Sequence, residues 1–239
     1  MDKIYKDLKY SDSNECILDI YATDKSNKTI VYIHGGGLES SDKTSFHEIY
    51  EFGISVISIN YRMYPSAKYP DFLEDSAIAL KWVYDNSEKY KYGNDIYIFG
   101  SSAGAYIAMM LCFDNKWLAF NGLKSTDFAG FIYDSPQPTD HFNVLREKGI
   151  DIKKVIIDEY SPLFYVEEKV YPPMMIVTYQ NDILGRLEQN KMASKLLEAY
   201  KIPHEFYVFE GCHCSGEILN ENGDFLLNEP LLKFVFKKI

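Results

Sequence analysis

Three side chains that can together make a nucleophile occur in a telling order along this chain: a serine, then an aspartate, then a histidine. Ser102 is the middle residue of Gly100-Ser101-Ser102-Ala103-Gly104, a G-x-S-x-G pattern. Asp182 closes Tyr179-Gln180-Asn181-Asp182, and His213 ends Glu210-Gly211-Cys212-His213. A serine hydroxyl is a weak nucleophile until a base takes its proton. An imidazole serves as that base when a carboxylate orients it and stabilises its charged form. The chemistry open to such a set is attack on an acyl carbonyl. A fourth feature, Ile33-His34-Gly35-Gly36-Gly37, comes early. Consecutive glycines let the backbone turn so that neighbouring amide N–H groups converge. The N–H groups of Gly36, Gly37 and Ala103 are the expected donors to the oxyanion of a tetrahedral intermediate.

Each of these residues needs a particular element in front of it. Asp95-Ile-Tyr-Ile-Phe99 suits a buried strand, and Ala105-Tyr-Ile-Ala-Met-Met-Leu111 suits a helix. A strand that turns sharply into a helix needs small residues on both sides of the turn, hence Gly100 and Gly104. Ser102 then stands clear of the sheet at the helix N-terminus, where partial positive charge favours a developing negative one. The acid is expected after a late strand at 174–178 and the base after the last strand at 204–209. Of the five histidines, His213 alone lies past Ser102, after a strand and in a glycine-bounded loop. His204 falls at a strand start, the wrong edge of a sheet, and His141 lies in a region without strands. His34 reads as a residue that pins the glycine loop. Asp158 and Glu159 have no strand before them, whereas Asp134 follows one and stays open as an alternative acid.

Strand and helix patterns alternate along the chain, which predicts an α/β fold: about eight strands in a mostly parallel sheet, an antiparallel N-terminal edge and helices on both faces. The strands are expected at 5–10, 16–22, 29–33, 55–60, 96–99, 128–133, 174–178 and 204–209. Leu73, Ala77, Leu80 and Tyr84 mark one helical face, Met192, Leu196 and Ala199 another, and a last helix is expected over 229–239. Between 134 and 173 the alternation fails, apart from a short helix near 141–148. An excursion of that length is expected to form a small lid over the active-site edge.

Bulk properties exclude several classes. The 239 residues fit one domain spanning 1–239, and 46% hydrophobic content supplies a full core. A net charge of −10 argues against nucleic acid. No apolar run approaches the roughly 20 residues that span a bilayer. The N-terminus has no apolar stretch before a small-residue cleavage site, so no signal peptide and a cytoplasmic location are expected. Cys16, Cys112, Cys212 and Cys214 show neither zinc spacing nor a disulfide framework, and no metal is expected.

Together these motifs resemble the H-G-G-G branch of the α/β-hydrolases: the hormone-sensitive-lipase-like esterases and the smaller acetyl, feruloyl and acetyl-xylan esterases. Ile59-Asn60-Tyr61-Arg62 with Tyr69-Pro70 and Leu73-Glu74-Asp75, and Tyr160-Ser161-Pro162-Leu163, extend the likeness. There are departures. The elbow ends Gly104-Ala105 where many members carry a second glycine, no proline follows the acid, and cysteines flank the histidine. The resemblance implies an α/β-hydrolase fold and a serine carboxylesterase with Ser102, Asp182 and His213 as triad. It implies no cofactor and a small-molecule ester, acetyl first among them, as the substrate partner, with no nucleic acid or membrane partner. A kynurenine-formamidase-like amide hydrolase on the same scaffold is the alternative. A catalytically inactive binding module is more remote, because all three triad residues remain.

Overall fold

The expected runs build a single eight-stranded sheet in the computed structural model, which describes residues 3–45, 52–217 and 227–236. The strands are β1 (Lys3–Lys9), β2 (Ile17–Ala22), β3 (Lys28–Ile33), β4 (Ser55–Ile59), β5 (Asp95–Ser101), β6 (Gly130–Asp134), β7 (Met174–Asn181) and β8 (Glu205–Cys212). They lie in the order β1-β2-β4-β3-β5-β6-β7-β8. β1 and β2, and β2 and β4, pair antiparallel, and every later neighbour pairs parallel.

The central strands are apolar almost without interruption because both faces of the sheet are covered. Alternation sends Val31, Ile33, Ile98, Phe131 and Tyr133 to one face. There they pack with α1 (Asp71–Tyr90), α2 (Ala103–Phe113) and α5 (Arg186–Ala199). Ile30, Tyr32, Tyr97, Phe99 and Ile132 go to the other face, against α6 (Asn228–Phe236). Two short helices, α3 (Lys116–Ala119) and α4 (Phe142–Glu147), add Trp117, Leu118 and Val144 to the first of these cores. No described helix is long and apolar enough to cross a membrane. The last part of the helix expected over 229–239 falls outside the described residues.

Two helical faces differ from their sequence expectation. On α1 the buried stripe passes through Leu73, Ala77 and Leu80 to Val83, leaving Tyr84 exposed. On α5 the inward residues are Asn190, Ala193, Ser194 and Leu197, whereas Met192 and Ala199 face outward. The inward face of α5 is partly polar: the Asn190 side chain donates to the Pro136 carbonyl (3.1 Å). A search for apolar periodicity therefore settles on the neighbouring stripe.

The strand ends matter most for the site. β5, β7 and β8 run farther toward the C-terminal edge than their apolar residues suggest, because β7 and β8 keep pairing through Tyr179 with Phe209 and Asn181 with Cys212. Ser102, Asp182 and His213 are consequently each the first residue beyond a strand, on one edge of the sheet. Within 134–173 no strand follows the end of β6, and α4 sits where the short helix was expected. The His141 ring caps α4 by accepting the Asn143 N–H (3.2 Å).

Gly104 joins α2 to the end of β3 so closely that a Cβ there would sit 1.9 Å from the Ile33 carbonyl oxygen. Gly104→Ala is expected to lower stability by about 3 kcal/mol through overpacking, measured by urea unfolding. Parent-like stability would show that β3 and α2 are free to separate.

Candidate active site

The turn from β5 into α2 holds Ser102 at φ 51°, ψ −109°, in the left-handed half of backbone space that a residue with a Cβ rarely occupies. Its N–H donates to the Asp134 carbonyl on neighbouring β6 (2.8 Å), and its carbonyl accepts the Tyr106 N–H (3.1 Å). A Cβ on Gly100 would meet the Gly104 carbonyl oxygen at 2.3 Å, so the turn closes only around glycine. Ser102 is half-buried, with its hydroxyl 2.7 Å from His213 Nε2. Ser101 points elsewhere, its hydroxyl donating to Cys214 Sγ (3.4 Å).

His213 Nδ1 lies 2.5 Å from Asp182 Oδ1. Burial alone would raise the Asp182 carboxyl, but hydrogen bonds from His213, the Ser135 hydroxyl and the Ile183 N–H outweigh it and hold the group below the usual carboxylate range. Asp182 is therefore an anion at neutral pH and can only accept. Nδ1 carries the imidazole proton, and Nε2 presents its lone pair to the Ser102 hydroxyl. The structure thus brings together all three residues expected from the sequence. The other acids stand apart: Asp158 pairs with Lys148 (2.9 Å), and the Asp134 carboxylate lies against the Tyr179 hydroxyl. His204 bonds Ser194 (2.8 Å), before β8 begins.

The glycine loop packs directly on the elbow, since a Cβ on Gly35 would come within 3.2 Å of Ser102 Cβ. Its amides are aimed through their carbonyls, because C=O and N–H point opposite ways across a trans peptide. The Gly35 carbonyl accepts from His34 Nδ1 (2.8 Å) and Tyr61 Oη (3.4 Å), which turns the Gly36 N–H away from both. Burial pushes the His34 imidazole pKa down, so the ring is neutral and Nδ1 is the donor. The Gly36 carbonyl accepts from Ser40 N (3.0 Å), Ser40 Oγ (2.9 Å) and Glu39 N (3.2 Å), which aims the Gly37 N–H. The Ser102 carbonyl, tied to Tyr106, aims the Ala103 N–H along the axis of α2. Among the described residues these three N–H groups donate to no carbonyl. Such free amides beside a serine are suited to stabilising an oxyanion.

Sequence reading missed the residues that hold this frame. Ser135, just past β6 at φ 49°, donates its hydroxyl to Asp182 Oδ2 (2.8 Å) and accepts the Cys214 N–H (3.4 Å), so one hydroxyl ties the acid loop to the base loop. Thr178 Oγ1 adds a longer bond to the same carboxylate oxygen (3.3 Å). The buried Arg186 guanidinium holds the Ser135 carbonyl (2.7 Å). From α4, the Asn143 amide donates to the Gly37 carbonyl, and Arg146 pairs with Glu39 (2.8 Å) across the glycine loop. The one sequence signal for Ser135 was its place after a strand on the same sheet edge. Asn143 and Arg186 had none. Among the described residues no group of three or more His, Cys, Asp or Glu side chains could hold a metal ion.

Comparison with known proteins gives this geometry a setting. The BD-FAE family profile matches residues 18–197. A kynurenine formamidase of Meyerozyma guilliermondii is 25% identical over 224 residues, covering 84% of this chain and 83% of that one. An acetyl esterase of Salmonella enteritidis is 30% identical over 218 residues, covering 78% of this chain and 64% of the esterase, so the chain spans less than two thirds of that relative. Esterase B of Lactobacillus rhamnosis superposes with a TM-score of 0.80 at 16% identity, covering 98% of this chain and 85% of that one. The α/β-hydrolase fold is common to both chains.

The Ser135 hydroxyl provides a test through stability. The folded Asp182 carboxyl releases its proton more readily than the unfolded one, whose pKa is about 3.9. Its hydrogen bonds therefore stabilise the fold above about pH 4, and that contribution is lost as pH falls through the lower folded value. Ser135→Ala is expected to cost about 2 kcal/mol at neutral pH, with a smaller deficit near pH 3. Urea unfolding at the two pH values measures this. An equal deficit at both would show that the hydroxyl does not act through the carboxylate.

Proposed function

Since the chain belongs to the BD-FAE family, we propose that it is a serine carboxylesterase that hydrolyses small acyl esters, acetyl esters first, including those of carbohydrates. The observation that carries this reading is the unbroken line from Ser102 Oγ through His213 (2.7 Å) to Asp182 (2.5 Å), beside three amides that donate to no carbonyl among the described residues. Ser102 Oγ attacks the ester carbonyl while His213 Nε2 takes its proton. Asp182 stabilises the imidazolium without itself becoming protonated. The N–H groups of Gly36, Gly37 and Ala103 hold the oxyanion, each such donor being worth about 3 kcal/mol in the transition state. His213 then gives its proton to the departing alcohol, leaving an acyl group on Ser102. Water repeats the sequence in reverse and frees the acid. Every step uses groups of the chain and water.

A second reading, hydrolysis of an N-acyl amide, is favoured by the kynurenine formamidase of Meyerozyma guilliermondii, which matches over most of both chains. The same residues would act, with His213 protonating a departing amine in place of an alcohol.

Ser102→Ala is expected to reduce hydrolysis of 4-nitrophenyl acetate by about 10⁴-fold or more while circular dichroism and melting stay those of the parent. Undiminished turnover would overturn the assignment. Comparing kcat/KM for acetyl esters with that for N-formylkynurenine decides between the two readings, the ester being the expected preference. Within a series of 4-nitrophenyl esters of rising acyl length, the acetate is expected to have the highest kcat/KM.

A further inference from the structure

One cleft beside the site takes no part in the steps above. It has a volume of about 670 Å³, within the range of small-molecule sites. One wall is the loop that follows the acid, from Ile183 to Arg186, and the other is the stretch 152–155 of the excursion. Phe142 also lines it, and the same ring packs on Gly37 of the oxyanion loop. The cleft thus lies between the acid loop and the 152–155 stretch, with Phe142 between it and the glycine loop.

Its lining is unusual in two respects. Apolar side chains stand open to solvent there: Leu184 is 99% exposed, Val155 60%, Ile183 49% and Ile152 44%. A continuous apolar surface of this kind marks a place where something binds. Charge is the other respect. In a chain of net charge −10, this lining carries Lys153, Lys154 and Arg186 against the single carboxylate of Glu188. Among the described residues Lys153 and Lys154 form no ion pair. Arg186 is 4% exposed, and its acceptors among the described residues are both neutral: the Ser135 carbonyl (2.7 Å) and Gln137 Oε1 (3.2 Å). Burial disfavours the charged guanidinium and the Asp182 carboxylate favours it, but the Asp182 oxygens are already engaged by His213, Ser135, Thr178 and Ile183. With Asp182 committed to His213, the lining carries three cations against one carboxylate and is net positive.

We infer that this cleft is a subsite for an amphipathic anion: one arm of the ester, with an apolar or aromatic body ending in a carboxylate. The body lies along Ile152, Val155 and Leu184, and the carboxylate meets Lys153 and Lys154 beside Arg186. A neutral arm of the same size gains the apolar contact alone. The inference rests on the esterase reading only in making the occupant part of a substrate.

Titration calorimetry separates the two claims because it needs no turnover. The Ser102→Ala protein is expected to bind 3-phenylpropionate about tenfold more tightly than 3-phenylpropanol at low ionic strength. In the same background, Lys153→Glu with Lys154→Glu is expected to bring that ratio to one or below. Equal binding of the two compounds, no binding of either, or a preference that survives the double charge reversal overturns the subsite. In the active protein, 3-(4-acetoxyphenyl)propionate is expected to exceed its methyl ester about tenfold in kcat/KM if the alcohol arm occupies the cleft. The 4-nitrophenyl hemiester of glutarate exceeds 4-nitrophenyl pentanoate similarly if the acyl arm does. Absence of preference in both pairs overturns the subsite. Failure to cleave any of the four esters instead removes the esterase reading and leaves the binding ratio to decide the cleft.

Discussion

No methyl group fits between Gly104 and the Ile33 carbonyl, and the rest of the site depends on that contact. With a Cβ at 1.9 Å excluded, α2 settles directly onto the end of β3, and the glycine loop that leaves β3 is pressed onto the elbow. The serine and the amides beside it are therefore fixed by one backbone-to-backbone approach, with no side chain between that could adopt another rotamer. Ser102 accepts an unfavourable φ as part of the same packing, held by its N–H on β6 and its carbonyl in the first turn of α2. Strain of this kind persists only where the surroundings over-determine it.

The amides are preorganised indirectly. Among the described residues no backbone carbonyl accepts the Gly36 and Gly37 N–H groups themselves. Their orientation is set from the far side of each peptide, by His34 and Tyr61 on one carbonyl and by the 39–40 turn on the next. The cost of ordering these dipoles is met on folding, so none of it falls in a reaction step. The neutral state of His34 belongs to the same logic. A buried imidazole whose Nδ1 donates to a carbonyl serves as a fixed strut, leaving His213 as the ring that faces the serine.

The region 134–173 supplies contacts to three parts of the site. Ser135 links the acid loop to the base loop, Asn143 and Phe142 hold the glycine loop, and 152–155 walls a cationic cleft. Its own frame is a small polar core in which Lys148 bridges Asp140 (3.1 Å) and Asp158 (2.9 Å), and the Ser161 hydroxyl donates to Asp140. A segment held by such bonds needs no strand, which is why hydrophobic periodicity found so little in it.

What the sequence by itself determined is everything whose cause is local. Gly100 and Gly104 around Ser102, the Gly35–Gly37 run after a strand, and apolar runs of strand length alternating with helical stripes state their conformations within a few residues. They were enough for the sheet, the elbow and the order of the three site residues. Asp182 and His213 needed one further premise, that each follows a strand on the same edge, and the pairing of β7 with β8 satisfied it more closely than their apolar residues suggested. Tertiary structure alone decided the rest: that Ser135 reaches Asp182 across 47 positions, that Asn143 reaches Gly37 across 106, and that Arg186 lies buried beside neutral partners. The inward stripe of α5 was likewise decided by Arg186 and Asn190 bonding backbone of the 135–136 turn. The reason is physical. A glycine constrains its own backbone, whereas a polar side chain commits to a structure only once the distant carbonyl or carboxylate it satisfies has been brought beside it.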